Sequence, residues 1–370
     1  MKVVAALAGL GGLALSGTAH AIAWNFQTPA SRLAAEIDDL HQLVMWLIIV
    51  IFAGVFGAMF YSVYAHRKSK GHRAEQFHEN TAVEIIWTVI PAIILVAIAV
   101  PVTKVVISQK DTSGADITVK VTGYQWKWGY DYLKGEGEGI SFLSTLATPR
   151  AQIEGTAPKG ENYLLEVDNE LVVPVGKKIR ILTTAADVIH SWFLPAFGVK
   201  QDAIPGFLRD TWFRADRTGT FRGQCAELCG KEHGFMPTVV RVVSAEDYTK
   251  WVAEFKQKSA KAAEDDTKTF TLQDLMQRGE KVYAANCVAC HQANGRGTPP
   301  AFPPLAGSKT ATGPKEGHID TVLNGRPNTA MQPFKQLSNA ELAAVITYER
   351  NSWGNKAGEV QPAEVKARRK

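Results

Sequence analysis

The chain has 370 residues, 46% of them apolar, and a formal net charge of +5. That length is too great for one compact domain, and the apolar share suffices for several cores plus membrane spans. The excess positive charge sits in a loop around residues 66–73 and in the final Lys366-Ala-Arg-Arg-Lys370, without interleaved aromatics, which gives no nucleic-acid surface and says little else about partners.

Lys2, the apolar run Val3 to Leu15 and the small-residue exit Ala19-His20-Ala21 read as a secretory signal peptide over residues 1–21, with an uncleaved anchor as the alternative. Residues 22–107 are read as an N-terminal segment and a transmembrane hairpin. Leu43 to Val63 is apolar, uncharged and long enough to cross a bilayer; Ile85 to Val102 is just long enough and contains Pro91 and Pro101. These predict helices at about 41–65 and 81–105. A buried hairpin of a soluble protein is the alternative, but such helices rarely lack charge on every face. His66, Arg67, Lys68, Lys70, His72 and Arg73 form a basic loop between them that belongs in the cytoplasm. The second helix then returns the rest of the chain to the outside.

Residues 108–250 change character, with alternation in Ile117-Thr-Val-Lys-Val-Thr122, turns at Asp168-Asn169 and Pro174-Val-Gly176, and the β-branched run Thr238 to Val243. This predicts an all-β Greek-key sandwich. Residues 251–269 read as a polar, partly helical linker. Residues 270–354 form a helical domain, with Leu272 to Ala285 and Asn339 to Arg350 as amphipathic helices around a Gly/Pro-rich loop, Gly295 to Gly317, suited to wrapping a cofactor. Residues 355–370 read as a basic tail. The chain is thus multidomain: a two-helix hairpin, a β-sandwich and an all-α domain.

All four cysteines lie in two motifs, Cys225-Ala-Glu-Leu-Cys229 and Cys287-Val-Ala-Cys290-His291. Around the first stand His233, Met236 and the distant His190. Two thiolates separated by three residues on a tight loop can point into one site, and soft sulfur and imidazole donors select copper over hard cations. A blue single-copper site needs only one Cys, so the second thiolate implies a different species, and two sulfurs can bridge two metals. A Cys2His2 zinc site would leave Met236 without a role, and a Cys225–Cys229 disulfide would leave His190, His233 and Met236 unexplained. The second motif is the attachment site of a c-type haem, with His291 as proximal ligand. For the sixth ligand Met331 is preferred and His318 is the rival; a Met/His pair suits an electron carrier. Met276 reads as core packing.

Gly223-Gln-Cys-Ala-Glu-Leu-Cys-Gly-Lys-Glu-His-Gly-Phe-Met236, with Asp187-Val-Ile-His-Ser-Trp192 and Lys200-Gln-Asp-Ala-Ile-Pro-Gly206, resembles subunit II of the haem-copper cytochrome c oxidases. The resemblance runs from the membrane hairpin through the sandwich and implies a cupredoxin-like domain with the dinuclear copper centre called CuA. Its implied ligands are His190, Cys225, Cys229, His233, Met236 and the backbone carbonyl of Glu227, whose side chain would reach a magnesium ion shared with subunit I. Gly123-Tyr-Gln-Trp-Lys-Trp-Gly-Tyr130 resembles the family's aromatic segment, in which Trp126 would receive the electron; Lys127 stands where the family commonly has Tyr. Glu84 matches a family acidic residue near the cytoplasmic end of the second helix, a point of proton uptake or simply a solvated cap.

Residues 270–353 resemble a small class I cytochrome c. Pro303-Pro-Leu305 fits the position whose carbonyl holds the proximal imidazole, and Met331-Gln332 stands where the family often has Met-Pro. Together the resemblances imply subunit II of a bacterial respiratory oxidase with a fused cytochrome c. Such a chain would sit in the cytoplasmic membrane with both soluble domains on the periplasmic or outer side. It would relay electrons from ferrocytochrome c or another periplasmic donor, through haem c and CuA, to subunit I, where oxygen is reduced with proton pumping; subunit III is a further expected partner. Two alternatives are weighed. The relay domain of a nitrous oxide reductase shares the ligand loop but not the two-helix anchor. A membrane-tethered copper-delivery protein would need no haem.

Overall fold

The computed structural model describes residues 26–369 apart from 74–77, 301, 327, 328, 330, 332 and 336; the expected signal peptide at 1–21 lies outside them. Helix α1, Arg32–Ala65, starts where the Ser31 hydroxyl accepts the Ala34 amide at 3.1 Å. Helix α2, Thr81–Lys110, starts where the Asn80 side chain accepts the Val83 amide at 3.2 Å. Neither buries its apolar length against protein, as expected for lipid-facing helices and not for core helices. Both extend past the limits that the apolar runs predict, α1 back to its Ser31 cap and α2 on to Lys110. At about 1.5 Å per residue, α1 outreaches a hydrocarbon layer of about 30 Å, so its first turns, with Glu36, Asp38 and Asp39, project beyond the lipid.

Hydrogen bonds fasten the outer ends of both helices to the β domain. Ser31 Oγ donates to the Phe197 carbonyl at 2.9 Å and the Ala30 amide to Ala196 at 2.7 Å. At the other helix, Trp212 Nε1 donates to the Ser108 carbonyl at 3.0 Å and the Thr112 hydroxyl to Asp210 at 2.8 Å. The basic turn Lys68–Lys70 connects the opposite ends, which is the arrangement that the charge pattern predicts.

Ten strands follow: β1 Ile117–Tyr124, β2 Lys127–Lys134, β3 Ser141–Ser144, β4 Leu171–Pro174, β5 Lys178–Ala185, β6 His190–Leu194, β7 Val199–Ala203, β8 Arg209–Arg214, β9 Gly219–Gln224 and β10 Pro237–Val243. They form a sheet in the order β3-β2-β1-β5-β8, a sheet β4-β10-β9 and a ribbon β6-β7. Strand β1 lies between antiparallel β2 and parallel β5. Its central position buries it more completely than its alternating sequence suggests. Val119, Val121, Trp128, Tyr130, Ile181 and Trp192 are among the side chains filling the space between the sheets.

Helix α3, Ala245–Asp265, begins at the Ser244 cap and runs through most of the segment read as a linker. Tyr248 and Val252 bury against the sandwich, with Trp251 and Phe255 packed beside them. The C-terminal domain holds α4 Leu272–Asn286, α5 Lys315–Asn324, α6 Asn339–Asn351 and α7 Pro362–Arg368. Helices α4 and α6 touch backbone to backbone at Gly279, where a Cβ would stand 2.1 Å from the Ala344 carbonyl oxygen. Only glycine permits that crossing. The segment 355–370 reads as a basic tail, but its described residues, 355–369, fold onto this domain: Val360 and Val365 are fully buried, Arg368 pairs with Asp320, and Arg369 donates to the carbonyls of Lys335 and Leu337.

Candidate functional site

At one end of the sandwich the loop after β9 folds back on β6. The Ala226 amide donates to the Ser191 carbonyl at 3.0 Å and the Cys225 amide to the Met236 carbonyl at 3.1 Å. These bonds bring together residues far apart in sequence. His190, Cys225 and Cys229 present donor atoms that all lie within 4.8 Å of one another. The two sulfurs are 3.9 Å apart, Cys225 Sγ is 3.9 Å from His190 Nδ1, and Cys229 Sγ is 3.5 Å from His233 Nδ1 and 3.7 Å from Met236 Sδ. The Glu227 carbonyl is 3.4 Å from Cys225 Sγ. Such gaps are roughly what two ligands about 2.3 Å from a shared ion subtend. His190, Cys225, Cys229 and Met236 are all buried, whereas the Glu227 carboxylate lies on the exposed outer face of the loop.

The electrostatics suit a metal. A hydrogen bond from Cys229 pulls the Cys225 thiol far below its usual range, with further help from His190 and the Glu227 and Ser191 backbone, against the opposing effect of burial. Cys229 is driven up correspondingly, chiefly by the bond it makes to Cys225. One thiolate is thus ready, and one proton remains for a metal to displace. Burial alone would lower the His190 pKa, but its bonds to Asp187 and Cys225 outweigh this and raise it. His190 Nε2 lies 2.9 Å from Asp187 Oδ1. With the Nε2 proton donated there, the Nδ1 lone pair faces the sulfurs.

Trp126 and Gln125 both bond to this loop: Trp126 Nε1 donates to the Cys229 carbonyl at 3.1 Å and Gln125 Nε2 to the same oxygen at 2.9 Å. The Gln125 amide in turn donates to Asp187 Oδ2 at 2.7 Å. Space for the imidazole comes from Gly123, where a Cβ would stand 2.7 Å from His190 Cδ2.

The second cysteine pair differs in kind. Burial raises the Cys287 thiol well above its usual range and raises Cys290 too, so both stay protonated, unlike metal-binding thiolates. Cys287 caps the end of α4 and the single turn Val288–His291 follows. His291 Nδ1 lies 3.0 Å from the Pro303 carbonyl, which leaves Nε2 for iron and fits the residues to a haem. Met331 packs with Cys287, Val288 and Leu305 against the domain core. The rival His318 is turned away into that core: it is 1% exposed, and its Nε2 pairs with Glu349 at 2.8 Å. Glu232, Lys127 and Lys231 of the β domain act on the Cys290 thiol.

Comparison with known proteins agrees with this geometry. Residues 117–243 match the periplasmic domain of cytochrome c oxidase subunit II, residues 19–105 its transmembrane domain, and residues 274–348 the family described as cytochrome c oxidase, cbb3-type, subunit III. Cytochrome c oxidase subunit 2 of Cereibacter sphaeroides is 41% identical over 242 residues, 62% of this chain and 79% of the relative. The chain belongs to the cytochrome c oxidase subunit II family. The subunit 2 of Cyanidium caldarium is 40% identical over 230 residues, 61% of this chain and 88% of its own length. A crystal structure of the periplasmic domain of subunit II from Bradyrhizobium japonicum is 50% identical, covering 40% of this chain and 98% of that one, with a TM-score of 0.35.

This subunit II therefore carries a cytochrome c-type domain, forms part of an oxidoreductase complex with the haem-copper subunit I, and is a membrane protein with a periplasmic domain. Asp187 and Gly123 go unassigned in a reading of the sequence, although Asp187 stands three residues before His190. Glu84 accepts the Asn80 amide at 3.3 Å, which with the Asn80 side-chain bond makes a reciprocal cap on α2. Replacing Asp187 with Ala frees the His190 ring to turn, so copper affinity of the exported protein, measured by chelator competition, falls about 10–100-fold while the sandwich stays folded.

Proposed function

We propose that this subunit relays electrons from ferrocytochrome c or another periplasmic donor to subunit I. Cys287, Cys290, His291 and Met331 would hold the haem that accepts the electron, His190, Cys225, Cys229, His233, Met236 and the Glu227 carbonyl would hold a dinuclear copper centre, and Trp126 would be the point of electron entry to it. Oxygen reduction and proton pumping belong to subunit I. When bound, a copper pair bridged by two sulfurs spreads one electron over both ions, so that little geometry changes on reduction. The protein supplies the rest. Asp187 fixes the His190 tautomer, the sandwich excludes water from the thiolates, and the Trp126 indole is hydrogen-bonded to the backbone of a copper-loop cysteine.

The observation that carries this reading is the crowding of His190, Cys225 and Cys229 donors within 4.8 Å, extended by Met236 sulfur 3.7 Å from Cys229. Zinc has no use for that thioether, and a delivery protein has no use for ligands so deeply buried. Leu228, Phe207, Leu208 and Ile189 support the partner: they are 79%, 62%, 62% and 45% exposed, and exposed apolar groups of this size mark a docking surface. Subunit I would cover them, with the exposed Glu227 carboxylate holding magnesium at the boundary and subunit III completing the complex. The membrane is then the bacterial cytoplasmic membrane.

Two measurements test the reading. The purified oxidase gives a c-type haem spectrum together with a near-infrared copper band, and metal analysis finds two coppers for this chain; absence of the band, or zinc in its place, contradicts it. Glu84 would take up protons at the cytoplasmic rim. Glu84→Gln can keep the helix cap yet cannot ionise, so oxygen consumption slows with thermal stability unchanged; unaltered consumption assigns Glu84 to the cap alone.

A further inference from the structure

Where the C-terminal domain meets the copper domain, a cation is buried. Lys127 opens β2 immediately after Trp126 and is only 5% exposed. Its ammonium reaches across to the C-terminal domain and stands 4.5 Å from the centroid of the Phe334 ring, three residues beyond Met331. Asp187 and Asp168 both act on its charge, and Cys287 and Val288 pack against the same domain core as Phe334.

The energetics argue against a role in holding the domains together. Taking an ammonium out of water costs more than an aromatic face returns, and a methionine of similar length would fill the same seam without that cost. Burial lowers the Lys127 pKa to about 8, with Asp187 and Asp168 opposing the fall. What a fixed, poorly screened cation does well is act on neighbouring charge.

We propose that Lys127 sets the reduction potential of the haem. The couple is a single electron, Fe(III) + e⁻ ⇌ Fe(II), and the ferric form carries the extra positive charge. A cation held over Phe334, three residues from Met331, opposes that charge and favours the ferrous state. Once both cysteines are thioethers they are neutral, so in that segment the ammonium acts on the charge of the haem they would hold. Lys127 is therefore a tuning residue and not a ligand: it fixes how readily the haem passes its electron onward beside Trp126. The proposal rests on Cys287, Cys290 and His291 being the haem site.

The test is a spectroelectrochemical titration of the haem in the full-length, membrane-assembled protein, comparing wild type with Lys127→Met, Lys127→Gln and Lys127→Arg at equal haem and copper content. Both neutral variants are expected to shift the haem equilibrium about tenfold toward ferric, a fall of about 59 mV for one electron, and Lys127→Arg to retain most of the wild-type potential. Neutral variants that carry full haem at the wild-type potential overturn the proposal. Neutral variants that fail to acquire haem also overturn it, since Lys127 is then a folding residue. A wild-type protein without haem overturns the underlying site reading instead, and is recognised by the missing haem band before any variant is compared.

Discussion

Two buried sulfurs 3.9 Å apart are the constraint around which the exported part of this chain is arranged. Left alone, such a pair is an oxidation-prone and electrostatically awkward cluster. The fold holds it in place from both sides. Strand β6 bonds to the loop on one side, and Trp126 and Gln125 bond to the Cys229 carbonyl on the other. Gly123 leaves the volume that His190 occupies. A sandwich with this much of its hydrogen bonding aimed at one loop is built to keep ligands still, which is what rapid electron exchange demands of a metal site.

The same end of the sandwich meets the C-terminal domain. Lys127 and Trp126 are adjacent on the chain, yet one touches Phe334 beside the haem segment and the other touches the copper loop. A two-residue stretch therefore links the two cofactor regions, while α3 covers the longer covalent distance between domains. The hairpin adds a third fixed relation: both of its outer ends are bonded to the β domain, so the copper loop is held at a defined height above the lipid.

Much of this was legible because its chemistry is local. Cys225, Cys229, His233 and Met236 fall within twelve residues, and Cys287, Cys290 and His291 within five, so spacing alone announces both sites. Apolar length announces the hairpin. What stayed hidden depends on pairing between distant segments. Asp187 acquires its meaning only when His190 turns inward, Gly123 only when β1 is set beside that ring, and Lys127 only when a second domain closes over it. The C-terminal segment was obscured by composition: Lys366, Arg368 and Arg369 make it look solvated, but the partners of Arg368 and Arg369 lie some thirty to fifty residues upstream. His318 was a fair rival on residue type, and only its buried pairing with Glu349 separates it from Met331.

The central claim is that the two loop sulfurs hold two metal ions sharing one electron. Electron paramagnetic resonance of the oxidised protein tests it most directly. Hyperfine structure from two equivalent copper nuclei is the expected result, whereas a signal from one copper nucleus, or none from a protein that contains zinc, contradicts it.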